Sequence, residues 1–418
     1  MCLDRRHFVK AGLGTVAAAA IPGRNVLALG GLKAHKASAQ LNHRVVMVNI
    51  RGGWDSLSVF PPHGLAEYQN RRPTLAIAAP DPADPTSALP AETGFGVTYL
   101  MPELHSAYQA GELIVLQKTG YPSPDLSHFT SQDIMSKGIR NANHVDTRGW
   151  LGRLGDLYFT DTIKIVGVGT GNKLDFIGNS FRPVIVDNLD ALTIGTDSGS
   201  GLDSEFRNTK SEELLGGTGP LIGLKAQIRS AASSAFSLAE QVSNAISSYT
   251  SASIYPNTSF GASLQDVARM VYGNLGSQVF YVETGGFDTH ASQNNTLGIR
   301  LPQISQALGA FMDDMKAMNE FASTTLVVFT EFGRRNYENG GLGTDHGHGH
   351  HSMVIGGSLT GGFRGAHVTD PDMLQDYLGS QIDFRQIYHE IIASRLCVDP
   401  TPVFPDFTHP GGSLNLFV

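Results

Sequence analysis

Short continuous apolar runs recur along the chain, and each predicts a β-strand that is buried on both faces. These runs lie at residues 44–50, 112–117, 162–167, 182–186, 278–282, 325–329 and 352–355. Segments with helical spacing lie at residues 103–111, 127–137, 221–249, 264–275 and 301–321. The alternation predicts an α/β fold, a three-layer sandwich with a mostly parallel central sheet.

Polar residues follow the ends of four predicted strands. In an open α/β sheet, ligands bind beyond the carboxyl ends of the strands. Asp55 follows the first strand, Ser127 the second, Asp288 and His290 a later one, and Glu331 the strand at 325–329. Taken singly, Asp55 and Ser127 are explained as helix N-caps, and Asp288 and His290 as loop residues. Together they predict one functional site at this edge.

The loop at residues 331–351 carries the densest set of potential ligands. It combines Glu331, the pair Asp345-His346, and further histidines that include His348. Glycines between them allow tight turns. Carboxylate oxygens and neutral imidazoles are ligands that zinc, manganese and iron accept. The loop therefore predicts a metal site, and the alternative is a solvated surface loop that binds metal adventitiously.

The first residues predict export. Arg5-Arg6, followed by Lys10 and an apolar run at 11–21, form a twin-arginine pattern, with a small-residue cleavage site at 37–39. The alternative is a cytosolic amphipathic start. We expect a twin-arginine signal peptide at 1–39, the twin-arginine translocase as a partner, and a periplasmic or secreted protein. Residues 40–418 then form a single α/β domain, with insertions near 56–100 and 187–262.

Charge argues against a nucleic-acid partner. The chain has 30 Lys and Arg against 38 Asp and Glu, a net charge of −8. Residues 1–39 hold six basic and one acidic residue, which leaves 24 basic and 37 acidic residues, a net charge of −13. No basic stripe with interleaved aromatics occurs. The apolar run at 11–21 is too short for a stable membrane span, so we also expect no stable membrane insertion.

The order of motifs resembles a known family. The segments RGGWDSL, GYPSPDLSHFTSQD, GGFDTH and TEFGRR, followed by GTDHGHG, are similar to the secreted bacterial family called domain of unknown function 1501. The resemblance covers about residues 43–396. That family looks like a branch of the alkaline phosphatase/sulfatase-like superfamily, which implies an alkaline phosphatase-like fold and two divalent ions, zinc or manganese.

The resemblance also implies roles for individual residues. Ser127 matches the nucleophile, and Arg334 matches a group that holds the oxyanion of a small anionic ester substrate. The implied metal ligands are Asp55, Asp288, His290, Glu331, Asp345, His346 and His348. Together these imply hydrolysis of a phosphate or sulfate ester through an activated serine.

The sequence departs from the family pattern at two places. Phe332 stands where relatives have a His or Asn ligand, and this leaves a second function open. Residues 123–127 do not fit the motif that becomes formylglycine in sulfatases, which disfavours a formylglycine sulfatase. Ser123 and Ser56 are the next choices for the nucleophile. The alternative function is a non-catalytic metal- or partner-binding periplasmic protein. A metallopeptidase is disfavoured because no H-E-x-x-H pattern occurs.

Overall fold

The structure, a computed structural model, describes residues 43–141, 143–191 and 247–418. The predicted signal peptide at 1–39 lies outside the described residues. So does most of the predicted helix at 221–249, and the insertion near 187–262 is described only at its two ends. Within the described residues, no helix is long and apolar enough to span a membrane.

A large mixed sheet forms the centre of the fold. Its strands are β1 (Arg44–Ile50), β4 (Leu113–Gly120), β5 (Ile165–Val168), β6 (Val184–Val186), β7 (Val279–Thr284), β8 (Thr324–Phe329), β9 (His350–Gly356), β10 (Gly362–Arg364) and β11 (Ile382–Asp383). The order is β10-β4-β9-β8-β1-β7-β5-β6, and β11 also pairs with β4. The short strands β2 (Leu89–Pro90) and β3 (Gly96–Val97) pair separately.

Strand direction explains where the site lies. β1 pairs in parallel with β7 and β8, and within the described part of the large sheet only the pairings of β9 with β4 and β8 are antiparallel. The ends of β1, β4, β7 and β8 therefore reach the same edge of the sheet. Because β9 runs the other way, its first residue also lies at this edge. The long loop from β8 to β9 thus begins and ends beside the predicted site.

Helices cover both faces of the sheet, which confirms the three-layer α/β prediction. The described helices are α1 (Ser56–Val59), α2 (Ala66–Arg71), α3 (Pro102–Gln109), α4 (His128–Lys137), α5 (Trp150–Tyr158), α6 (Ser259–Tyr272), α7 (Gln293–Ala317), α8 (Asp370–Met373) and α9 (Phe384–Ile391). The side chains of alternate β1 residues pack into two separate hydrophobic cores, one on each face of the sheet. Val46 and Val48 pack with α3, α6 and α7, whereas Val45 and Met47 pack with α4, α5 and α9.

Helix boundaries differ most from the predictions. Helix α7 begins at Gln293 and contains Pro302 in its interior, although the sequence places the start at Leu301. Proline suits the first turn of a helix, so the pattern favoured the later start. Helix α5 was not predicted, because its two glycines lower helix propensity. Only glycine fits at position 152, because a Cβ atom there would lie 2.2 Å from the Ile177 carbonyl oxygen.

Candidate metal centre

The carboxyl-end edge of the sheet brings side chains from four segments together. His128 is the first residue of α4, which follows β4. Asp288 and His290 follow β7, and Glu331 follows β8. His346 comes from the loop that leads into β9. Parallel strands end side by side, so residues far apart in sequence meet at this edge.

One carboxylate oxygen is the focus of the cluster. The Nε2 atoms of three imidazoles lie close to Oδ1 of Asp288: that of His290 at 2.9 Å, that of His346 at 3.1 Å and that of His128 at 3.3 Å. Ligand atoms of His128, Asp288 and His346 all lie within 4.8 Å of one another. This is the one group of at least three potential metal ligands found among the described residues.

The opposite nitrogen of each ring already has a partner. His346 Nδ1 lies 2.7 Å from the Leu126 carbonyl oxygen. His290 Nδ1 lies 2.7 Å from Asp345 Oδ1, and His128 Nδ1 lies 2.8 Å from Glu331 Oε1. A carbonyl or ionised carboxylate oxygen only accepts, so each Nδ1 donates its proton. In the neutral form of each ring, Nε2 is then left with a lone pair that points into the cluster.

These lone pairs repel one another unless a cation lies between them. Nε2 of His290 and Nε2 of His346 are only 3.0 Å apart, and Nε2 of His128 is buried without a hydrogen-bond partner. A tetrahedral zinc site, with bonds of about 2.0–2.1 Å, places its ligand atoms about 3.4 Å apart. The separations of 2.9–3.3 Å between Asp288 Oδ1 and the three Nε2 atoms, and of 3.0 Å between His290 and His346, are close to that value. Carboxylate partners on the far nitrogen are also typical of metal-binding histidines. The residues therefore fit a divalent ion.

The carboxylates of the cluster are held in the ionised form. Burial raises the pKa of Asp288, but the hydrogen bond from Arg334 and the positive charge of its guanidinium outweigh burial and hold the pKa well below the usual range. Burial likewise raises the pKa of Glu331, and hydrogen bonds from His128, Gln132 and backbone amides lower it to about 2. Both groups are anionic at neutral pH, as metal binding requires.

Arg334 is buried beneath Asp288. Its Nε donates to the Gly53 carbonyl oxygen at 2.6 Å and its Nη1 to that of Thr344 at 3.0 Å. Nη2 contacts Asp288 Oδ1 at 2.7 Å, as well as backbone carbonyl oxygens. The side chain is fully buried. Arg334 therefore supports the loops and Asp288, and these contacts occupy most of its donors.

Ser127 lies in the chain segment that wraps the cluster. Its neighbours both contact the centre, since the Leu126 carbonyl accepts from His346 and His128 belongs to the cluster. Ser127 occupies the N-cap position of α4, yet its side chain makes no capping hydrogen bond. The helix-cap explanation of this serine therefore does not account for its hydroxyl.

Comparison with known proteins gives a family. The sequence matches the family described as "Protein of unknown function (DUF1501)" over residues 110–404. The chain belongs to this family. Comparison with curated proteins gives no significant match.

Solved structures similar to this DUF1501 protein share little sequence with it. The lipoteichoic acid synthase LtaP from Listeria monocytogenes has 8% identity and a TM-score of 0.37, over 90% of this chain and 76% of that one. A protein in the alkaline phosphatase superfamily from Vibrio parahaemolyticus has 13% identity and a TM-score of 0.37, over 87% and 68%. The PsFucS1 sulfatase from Pseudoalteromonas sp. has 8% identity and a TM-score of 0.34, over 84% and 67%.

Two of the predicted ligands of the DUF1501 protein have other contacts. Asp55 is 2% exposed and its Oδ2 lies 2.6 Å from Arg72 Nη1, while Ser58 and Gln293 donate to the same oxygen. His348 is buried against the ring of Tyr121, and neither of its ring nitrogens has a hydrogen-bond partner. Neither residue is part of the His128, Asp288 and His346 group.

His128 is the member of the cluster that the sequence analysis missed. It follows Ser127 directly, at the first position of α4. The available signal was a histidine in the first turn of a helix after a strand end.

Phe332 also has a clear place. It is fully buried, and its ring centroid lies 4.7 Å from that of His128 and 4.9 Å from that of His346.

Proposed function

We propose that the protein is a periplasmic, metal-dependent hydrolase of a phosphate or sulfate ester, with Ser127 as the nucleophile. The observation that carries the proposal is the convergence of three imidazole Nε2 atoms on Asp288 Oδ1, at 2.9–3.3 Å. The motif resemblance to the alkaline phosphatase/sulfatase-like superfamily supports the reaction class. Fold alone does not decide a function.

The proposed ligands are His128, Asp288, His290 and His346. A bound divalent ion polarises ester oxygens and makes a nearby hydroxyl more acidic. Glu331 and Asp345 fix the rings of His128 and His290 through their Nδ1 atoms, and the Leu126 carbonyl fixes His346. Direct ligation by Asp55, Glu331, Asp345 or His348, and a second ion held by some of them, stay predictions.

In the proposal, Ser127 acts on an ester held at this centre. In the proposed step, Ser127 Oγ loses its proton to solvent and bonds to the phosphorus or sulfur atom. The bond from that atom to the leaving oxygen breaks, and the leaving group departs with the electron pair and is protonated by water. Water then hydrolyses the serine ester and restores the hydroxyl. Arg334 keeps Asp288 ionised, and its grip on a substrate oxyanion stays a prediction.

Metal content tests the first part of the proposal. Protein exported by the twin-arginine route is purified and analysed by elemental analysis, beside the His346→Ala variant and a control, His105→Ala, whose half-buried side chain lies on α3. We expect zinc or manganese in the wild type and in the control, and loss of metal in His346→Ala. A wild-type protein without metal above background contradicts a metal-dependent enzyme.

Turnover tests the second part. The metal-loaded protein is screened with phosphate and sulfate esters, and Ser127→Ala is expected to bind metal normally while it loses turnover. The non-catalytic alternative is favoured by one observation, the commitment of Arg334 to backbone carbonyls and Asp288. Metal binding without turnover of any ester, in the wild type and in Ser127→Ala alike, would support that alternative.

A further inference from the structure

A cleft of about 220 Å³ lies beside the metal centre, between α4 and the turn at Leu174–Phe176. Glu331, which holds the ring of His128, lines one end of it. This volume is below the range of about 300–1,000 Å³ that is typical of pockets for drug-sized ligands. It therefore suits one ring-sized group, placed next to the proposed reacting centre.

The inner wall of the cleft offers hydrogen bonds in a buried setting. Asp175 is 4% exposed and accepts a hydrogen bond from Ser136 Oγ at 2.8 Å. Asn49 Nδ2 donates to Tyr281 Oη at 2.9 Å. Carboxylates and amides have more bonding sites than these contacts use. The wall can therefore bind a ligand that has several hydroxyl groups.

The cations of the cleft do not make it a second anion site. Arg51 Nη1 lies 3.6 Å from Glu283 Oε1, and Lys173 Nζ contacts the same carboxylate. Glu283 thus offsets part of both positive charges. Arg51 also donates to Gln132, which in turn donates to Glu331 at 3.0 Å. The charge balance favours a neutral, hydrogen-bonding ligand over a further phosphate or sulfate.

An exposed aromatic ring completes the cleft. Phe129 is 88% exposed, although it lies in the first turn of α4 beside His128 and lines the cleft. Single exposed apolar side chains are common. A ring next to buried hydrogen-bonding groups is more specific, because a sugar has an apolar face of C–H groups and an edge of hydroxyls. An aromatic ring packs on the apolar face of the sugar, and planar amides and carboxylates bind its hydroxyl groups.

We infer that this cleft binds a sugar ring of the substrate, with Phe129 stacked on its apolar face and Asn49 and Asp175 bonded to its hydroxyls. The inference rests on the proposed function only for the ester that the sugar would carry toward Ser127. Binding of the ring itself does not require the metal, so the two proposals can fail separately.

Saturation-transfer NMR tests the inference on the full chain. The probes are the methyl glycosides of glucose, galactose and N-acetylglucosamine at about 10 mM, above a millimolar Kd. We expect transfer to at least one glycoside, with the pyranose C–H protons most affected. Phe129→Ala should weaken binding roughly fivefold, as stacking contacts of this kind predict. The control Ile254→Ala, which truncates another side chain that is 83% exposed, should leave binding unchanged.

Several results separate this inference from the proposed function. No transfer to any glycoside, equal binding by Phe129→Ala, or displacement of the glycoside by inorganic sulfate would each overturn the sugar site. Since Phe129 is exposed, its truncation should not unfold the protein. Absence of metal or of ester turnover would overturn the proposed function and leave glycoside binding intact. Ser127→Ala should still bind the glycoside.

Discussion

Replacing Asp55 by asparagine tests whether this carboxylate balances a buried charge or binds metal. Asp55 and Arg72 form an ion pair with 2.6 Å between Oδ2 and Nη1, and both side chains are at most 1% exposed. The change to asparagine keeps the shape of the side chain and removes its charge. Arg72 would then be a buried cation without its counter-ion, next to the first residues of the β8–β9 loop.

The expected cost is large. Removing one partner of a buried ion pair costs about 3–5 kcal/mol. Arg72 would keep its bonds to the carbonyl oxygens of Asn336 at 3.0 Å and Arg335 at 2.7 Å, which favours the lower end of that range. Ser58 and Gln293 would also lose a charged acceptor. We therefore expect Asp55→Asn to lower the free energy of unfolding by about 3 kcal/mol or more.

Urea denaturation at neutral pH, followed by circular dichroism, measures this cost, and elemental analysis of the same preparations measures metal. Ser58→Ala is the matched control, because it removes one hydrogen bond to Asp55 and should cost about 1 kcal/mol. Metal content should stay at the wild-type level in both variants. If Asp55→Asn keeps its stability and loses the metal, Asp55 is a ligand, as the family resemblance implies, and the charge-balance reasoning is refuted.

Three further outcomes are expected. Burial raises the pKa of Asp175 from 3.8 to about 6, so its contribution to stability is full below pH 3.8 and is lost as pH rises through 6. The unfolding free energy of Asp175→Asn, relative to that of the wild type, should thus rise by about 2–3 kcal/mol when the pH of urea denaturation is raised from 4 to 7.5. A difference that does not change with pH would contradict the burial argument. Glu331→Gln should weaken metal binding about 10–100-fold in chelator competition, because His128 loses its anionic partner; unchanged affinity would mean that this contact does not tune the site. Phe332→Ala should cost about 3–5 kcal/mol of unfolding free energy, and a cost below about 1 kcal/mol would show that the rings of His128 and His346 do not depend on this packing.

The sheet could be predicted because its strands are continuous apolar runs. β1 spans Arg44–Ile50 as predicted, and β8 differs by one residue. Hydrophobic pattern carries no information on strand direction, so the reversal of β9 was not predicted. Helix starts were harder to predict, because a proline that suits a first turn lies within α7.

The site could be predicted in part, because strand ends share an edge. Five of the predicted residues belong to the cluster or contact one of its members: Asp288, His290, Glu331, Asp345 and His346. Asp55 follows a strand too, but Arg72, 17 residues later, binds it. The sequence holds no periodic signal for such a long-range pair. The partner of a buried charge depends on tertiary packing.

The central position of β1 has a consequence for synthesis of the chain. β1 is made early, yet its partners are distant: Val45 pairs with Val279, and Arg44 pairs with Thr324. At about 5–20 residues per second, a ribosome needs about 15–55 s to make the intervening 280 residues. The apolar strand has neither neighbour until β7 is made, and it lacks β8 for the whole of that time. The centre of the sheet can close only when three quarters of the chain has been made, so a nascent chain must be protected from aggregation until β8 emerges.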